Sequence, residues 1–354
     1  MSDAANRVKQ LAASLVSSFS DDSGLPDYKD LPTIPGTTYK CAWGLFDKDG
    51  HRDEVGTLNL LTPERVLKAS RSEILTGQSV SLNWGLENVK FPGFGRKPMS
   101  QKIIRLDESS LNWCGHDDEL SFNTQCGSQW DGLRHAAHQR SKKYYNALSH
   151  EDLIAGKDVR NGLEAVNDRG GVCGRGVLLD WVAFAQRHNI KYDPITTQKI
   201  PLSDLQACAR EQGVQFQVGD ILFIRSGFVK WHNQATDAER KAGTQDAASY
   251  IGVESSEEMF EWHWNSHFSA VVGDTVAYES WPPAMFAKGY DENGPPMLHE
   301  VLLASYGMLI GEMWDLEALA DKCKELGRYS FFVTSAPLNV KGGIGSPPNA
   351  LAIF

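Results

Sequence analysis

Hydrophobic and polar positions along this chain switch repeatedly between a period of about two residues and one of about 3.6, the signatures of strand and helix. Near the start, Val8, Leu11, Leu15 and Val16 recur at helical spacing, so residues 1–20 predict a solvent-facing helix. The turn-rich stretch that follows sets residues 1–30 apart as an N-terminal extension. Thr62 and Pro63 supply a capping oxygen and a first-turn proline, which opens a helix that Gly77 should close. Residues 80–84 then alternate as a strand does. Residues 176–180 form an apolar run ending on a carboxylate, and residues 181–188 continue as helix. Ser203 is placed to cap a helix ending at Gly213. Residues 220–225 predict a buried strand entering a Ser226-Gly227 turn. Asp315 should cap a helix that stops at Gly327, and residues 329–334 a further strand. Strands and helices interleave, so the class is α/β, with an alternation too irregular for a simple doubly wound sheet. No linker or repeat divides residues 31–354, which predicts one domain.

Composition narrows the function. The chain has 354 residues, 41% hydrophobic and 10% aromatic, enough for a sizeable core. A formal charge of -10 with no run of lysine or arginine argues against a nucleic-acid surface, which needs clustered cations. The six cysteines form no CxxC pair and are expected as reduced thiols. No stretch reaches the roughly 20 apolar residues of a membrane span, and the first residues lack the apolar core of a signal peptide. A cytoplasmic protein acting on small molecules is expected, with neither nucleic acid nor membrane as partner.

Candidate chemistry concentrates in one segment. The glycines near residues 341–348 precede prolines and no GK[ST] ending, and no GxSxG surrounds any serine, so neither a phosphate loop nor a nucleophile elbow is present. Residues 125–135, QCGSQWDGLRH, instead place Gln125, Gln129, Asp131 and His135 at spacings of four, two and four. Asp131 offers an anionic oxygen and His135 a group that exchanges protons near neutral pH, while Gly127 and Gly132 let the backbone bend. Spacing alone leaves open a plain loop in which Asp131 caps a turn. Among other histidines, His116 sits in a polar stretch expected as a surface loop, and His138 is expected at the surface. His263 and His267 are four apart without an HExxH pattern, and His267 is retained as a pocket candidate. Trp43, Phe46, Trp130, Trp281 and Phe286 would suit the walls of a pocket for a planar ring. The proline-rich loop of residues 280–296 suits a rim.

Residues 125–135 resemble the HxGTHxDxPxH signature of the cyclase family of metal-dependent hydrolases, with Gly127, Ser128, Asp131 and His135 in register. The resemblance extends through residues 56–63, 176–180, 219–227, 274–279 and 299–312 in the family's order. It implies a swivelling β/β/α-type single domain, assembled as a homodimer or homotetramer. It also implies a divalent ion held by two motif histidines, the aspartate, and a later histidine and glutamate, with the last motif histidine handling protons. On this chain those positions fall on Gln125, Gln129, Asp131, His299 and Glu312 for the ion and on His135 for the proton, so two imidazoles are replaced by amides. An amide oxygen is a hard, neutral, weak ligand beside an imidazole nitrogen. A weakly bound manganese, magnesium or zinc ion is one expectation, and a metal-free site is the preferred one.

In the metal-free site, Asp131 and His135 form the catalytic pair, and Gln125 and Gln129 donate to a substrate carbonyl, with Ser128, Trp130 and His267 as further substrate contacts. The expected activity is hydrolysis of an amide, formamide, lactam or lactone in the manner of an arylformamidase. The alternatives are a metal-independent cyclase, dehydratase or isomerase of secondary metabolism, and a non-catalytic ligand-binding relative.

Overall fold

In a computed structural model, residues 24–286, 289–291 and 294–354 are described. The helix predicted over residues 1–20 lies outside the described residues. The last part of the extension is packed: Tyr28 is buried, and its backbone N–H donates to Asn265 at 2.7 Å.

The strands in chain order are β1 (Ser79–Ser81), β2 (Ser100–Arg105), β3 (His116–Ser121), β4 (Gln129–Asp131), β5 (Val172–Asp180), β6 (Lys199–Ile200), β7 (Ile221–Arg225), β8 (Gly252–Val253), β9 (Ala270–Gly273), β10 (Leu309–Glu312), β11 (Ser330–Ser335), β12 (Gly345–Ser346) and β13 (Ala350–Ile353). Nine of them make one mixed sheet in the order β1-β13-β11-β5-β7-β9-β10-β4-β12. Its centre, β5-β7-β9-β10, is parallel, and antiparallel strands extend it on both sides. The central strands read as unbroken apolar runs because helices or loops cover both faces; every residue of β7 and β9 is buried. The result is a single mixed α/β domain.

Most predicted elements form with shifted ends. Thr62 caps the helix Pro63–Glu73, but the helix stops before Gly77 because Ile74 leaves helical geometry. Asp180 ends β5 and caps the helix Trp181–Arg187. The helix Leu202–Glu211 starts one residue before Ser203, after Pro201, so the proline and not the serine opens it. Asp315 bonds the first N–H of the helix Glu317–Leu326, and Gly327 closes it in left-handed geometry. The polar stretch around His116 is strand β3, paired with β2 in an exposed hairpin, rather than a loop. All six cysteines are free thiols. Among the described residues no helix is long and apolar enough to cross a membrane.

Arg225, at the carboxyl end of β7, holds the sheet to two helices. It pairs with Asp180 at 2.9 Å and with Glu317 at 2.7 Å, and its side chain is 10% exposed. Removing it strands the buried Asp180 carboxylate, so Arg225→Ala is expected to lower unfolding stability by about 3 kcal/mol. Urea denaturation checks this; a loss below about 1 kcal/mol would place the pair among weak surface contacts.

The carboxyl ends of the parallel strands gather the chemistry. β10 ends on Glu312, and its antiparallel neighbour β4 sets Gln129 opposite Glu312 and Asp131 opposite Ile310. Past β9, Asp274 accepts from the Ser226 N–H, the Ser226 hydroxyl and the Gly227 N–H, which ties the two loops together. Such strand ends are where open α/β sheets bind ligands.

Candidate active site

Strand geometry decides which motif side chains meet. Successive residues of β4 point to opposite faces, so Gln129 and Asp131 share one face and Trp130 takes the other. Trp130 donates to the Ser335 hydroxyl at 2.8 Å and packs edge-on against Trp314 at 4.8 Å. It is core, so the pocket role expected of it is corrected by the alternation of the strand. Gln125 reaches the same face as Gln129 from the preceding loop, where Gly345 leaves it room: a Cβ there would overlap the Gln125 amide nitrogen.

The Gln129 amide nitrogen is the hub. It lies 2.6 Å from Gln125 Oε1, 2.8 Å from Glu312 Oε2 and 3.2 Å from Asp131 Oδ1. With Glu312 ionised and Gln125 turned as it is here, this orientation gives the Gln129 nitrogen three acceptors. His299 is the second hub. Its Nδ1 lies 2.8 Å from Glu279 Oε2, and its Nε2 faces Glu312 Oε1 at 3.0 Å and Asp131 Oδ2 at 3.6 Å. Side-chain donor atoms of Asp131, His135 and His299 all fall within 4.8 Å of one another. Asp131, Glu279, Glu312 and Gln129 are at most 2% exposed.

Burial and charge divide the protons. Burial alone would lower His299, but the Glu279 charge and bonds to Asp131, Glu279 and Glu312 outweigh it and hold the imidazole protonated. Glu312 is pushed up to about 8, first by burial and then by the Asp131 charge. Burial would raise Asp131 too, yet His135 and His299 keep it below the usual carboxylate range. His135 is lowered by burial, with Asp131 opposing, so it is neutral at pH 7. Among the described residues the His135 ring makes no hydrogen bond, and its nearest ring is His299 at 5.9 Å.

These orientations bear on the ion that the family resemblance implies. A divalent ion would need unprotonated donors aimed at one point. Here the Gln129 nitrogen, a donor, occupies the space between the Gln125, Asp131 and Glu312 oxygens, and His299 is a protonated bridge. Asp131, His135 and His299 remain the group whose donor atoms could hold an ion, while in this packing the Gln129 nitrogen fills the space beside Asp131 and Glu312.

Of the other expected residues, Ser128 is buried beside the cluster with a hydroxyl that finds no partner among the described residues. His267 is not brought in. It precedes β9, at the end of the parallel strands away from Glu312. His263 is buried between the Met259 carbonyl and the Tyr278 hydroxyl. His138 is 1% exposed rather than at the surface, because its Nδ1 bonds Ser141 inside a turn. Glu279 is the site residue that sequence reasoning missed. It stands at the end of a matched block, residues 274–279, and follows Tyr278, whose φ of +54° turns the chain toward His299. An acidic end to that block was its only signal.

The sequence profile of the cyclase family matches residues 51–280. The chain belongs to the cyclase family. It is similar to a crystal structure described as a novel cyclase, at 28% identity over 89% of this chain and 99% of that one, with a TM-score of 0.74. Isatin hydrolase A from Ralstonia solanacearum shares the fold at 17% identity, over 83% of this chain and 98% of that one, with a TM-score of 0.55. An isatin hydrolase bound to the product analogue thioisatinate does so at 14% identity, over 83% and 99%, with a TM-score of 0.53. No curated protein sequence matches. A cyclase-family fold with buried acid and base groups at its strand ends marks the chain as an enzyme.

Proposed function

We propose that this enzyme hydrolyses an amide, formamide, lactam or lactone bond of a small carbonyl compound, with His135 as general base and then acid and without a metal ion. One observation carries the reading: a His135 imidazole that makes no hydrogen bond among the described residues and whose donor atom falls within 4.8 Å of those of Asp131 and His299, with burial lowering its pKa. His135 accepts a proton from water as the water oxygen bonds to the carbonyl carbon. The Gln125 amide nitrogen, buried beside the Asp131 carboxylate, donates to the oxygen that becomes negative. Gln129 is excluded from that role because its N–H groups are spent on Gln125, Asp131 and Glu312. The Asp131 charge stabilises the imidazolium. His135 then returns its proton to the leaving nitrogen or oxygen as the carbon–nitrogen or carbon–oxygen bond breaks, leaving a carboxylic acid and an amine or alcohol. Isatin hydrolases on the same fold support a carbonyl substrate of this size.

A second reading, a metal-independent cyclase, dehydratase or isomerase, is favoured by a different observation. Glu312, pushed up to about 8, supplies a protonated acid in the same site as the neutral base His135, and that pair needs no water.

The test is turnover of N-formylkynurenine, isatin and simple lactones as a function of pH. Lowering of the His135 pKa means that the base form persists at neutral pH, so the rate should fall only below 6.5, the ordinary histidine value. Hydrolysis of none of them, or a rate that rises toward acid, would remove the hydrolytic reading.

A further inference from the structure

One cation beside the cluster is used by nothing described so far. Arg96 is half-buried, its Nη1 donates to the Gln125 carbonyl at 2.7 Å, and its guanidinium lies over the Phe94 ring at 4.8 Å. Among the described residues no carboxylate stands within ion-pair distance of it. The carboxylates of the cluster are engaged by Gln129 and His299 instead. A half-buried guanidinium without an anion is costly, and its planar fork of donors matches a carboxylate.

The surroundings supply the rest of a binding site. A narrow cleft is bounded by Pro92, Phe94, Arg96, Gln125, Tyr250 and Val276, so the arginine and Gln125 line the same space. Phe94 has a φ of +59° and Gly95 one of +65°, so the turn carries a non-glycine residue in left-handed geometry. That turn presents the Phe94 ring, 47% exposed, edge-on to Trp281 at 5.4 Å. Trp281 is followed by Phe286 at 5.3 Å, and Phe286 by Tyr290 at 5.4 Å. A row of rings therefore continues from Phe94.

We infer that Arg96 determines specificity by binding a carboxylate on an aromatic substrate whose ring lies against Phe94 and Trp281. The placement of the carbonyl beyond it, at Gln125 and His135, rests on the hydrolytic reading above. The substrate class is then an aromatic acid that carries the scissile amide or ester within a few bonds of its carboxylate.

Equilibrium binding of benzoate and of its neutral isostere benzamide, measured by calorimetry on the intact chain, tests this without turnover. Wild type should bind benzoate at least about 10-fold more tightly than benzamide. Arg96→Gln should remove that preference and leave benzamide binding within about 2-fold. Phe94→Ala should weaken both ligands together. Equal binding of the two by wild type, a preference that survives Arg96→Gln, or an equal loss of both in that variant would overturn the inference. The last outcome would mean that Arg96 only holds the Gln125 carbonyl. A benzoate preference in an enzyme that hydrolyses no carbonyl substrate would sustain this inference and overturn the hydrolytic reading alone.

Discussion

Replacing His135 with alanine is expected to lower kcat by about 10³-fold, within the range for loss of a general base, while the fold stays intact. The ring makes no hydrogen bond among the described residues, so its removal strands no buried partner. The Asp131 carboxylate keeps Gln129 as a donor and His299 nearby, and the charge balance of the cluster survives the change. Loss of the ring removes a base whose pKa burial lowers and which, among the described residues, makes no hydrogen bond. His299 cannot take over, because its bonds to Glu279, Asp131 and Glu312 hold it protonated. Activity of His135→Ala on the wild-type enzyme's best substrate, with its thermal transition as control, makes the measurement. An active, folded variant would take His135 out of the mechanism.

The second large effect should come from putting imidazoles back. In the double variant Gln125→His with Gln129→His, nitrogen ligands replace the amide whose N–H groups now fill the space between Asp131 and Glu312. Each imidazole for amide exchange is worth at least about 1.4 kcal/mol, a factor of ten, so zinc should bind about 100-fold more tightly than to wild type. Zinc should then raise the melting temperature of the variant and leave that of wild type in place, by mass action on the folded state. Without zinc the variant should melt below wild type, because Asp131 and Glu312 lose a shared donor. Equal zinc affinity in the two proteins would show that the glutamines do not decide metal binding.

Much of this was legible in the chain, and the misses have physical causes. The apolar runs at residues 176–180 and 220–225 identified central strands because burial on both faces of a parallel sheet demands unbroken hydrophobicity. The hairpin β2–β3 escaped because it is exposed on both faces, so no alternation marks it. Gln125, Gln129, Asp131 and His135 were found together since one short segment carries them all. Glu279 was not, since it comes from the loop beyond β9 and an isolated glutamate carries no spacing to recognise. Trp130 shows the opposite error: adjacency in the motif suggested a shared pocket, but a strand sends neighbours to opposite faces. His267 failed likewise, because sequence spacing does not reveal which end of a parallel strand a residue occupies.

The account rests on a site that handles protons with its own side chains, His135 as base and His299 as the fixed cation. Turnover by wild-type enzyme after exhaustive dialysis against a chelator tests this most directly, with the metal content of the same sample measured alongside. The predicted result is an unchanged rate in protein carrying far less than one ion per chain. Loss of the rate with the ion, and its return on adding manganese or zinc, would contradict the account.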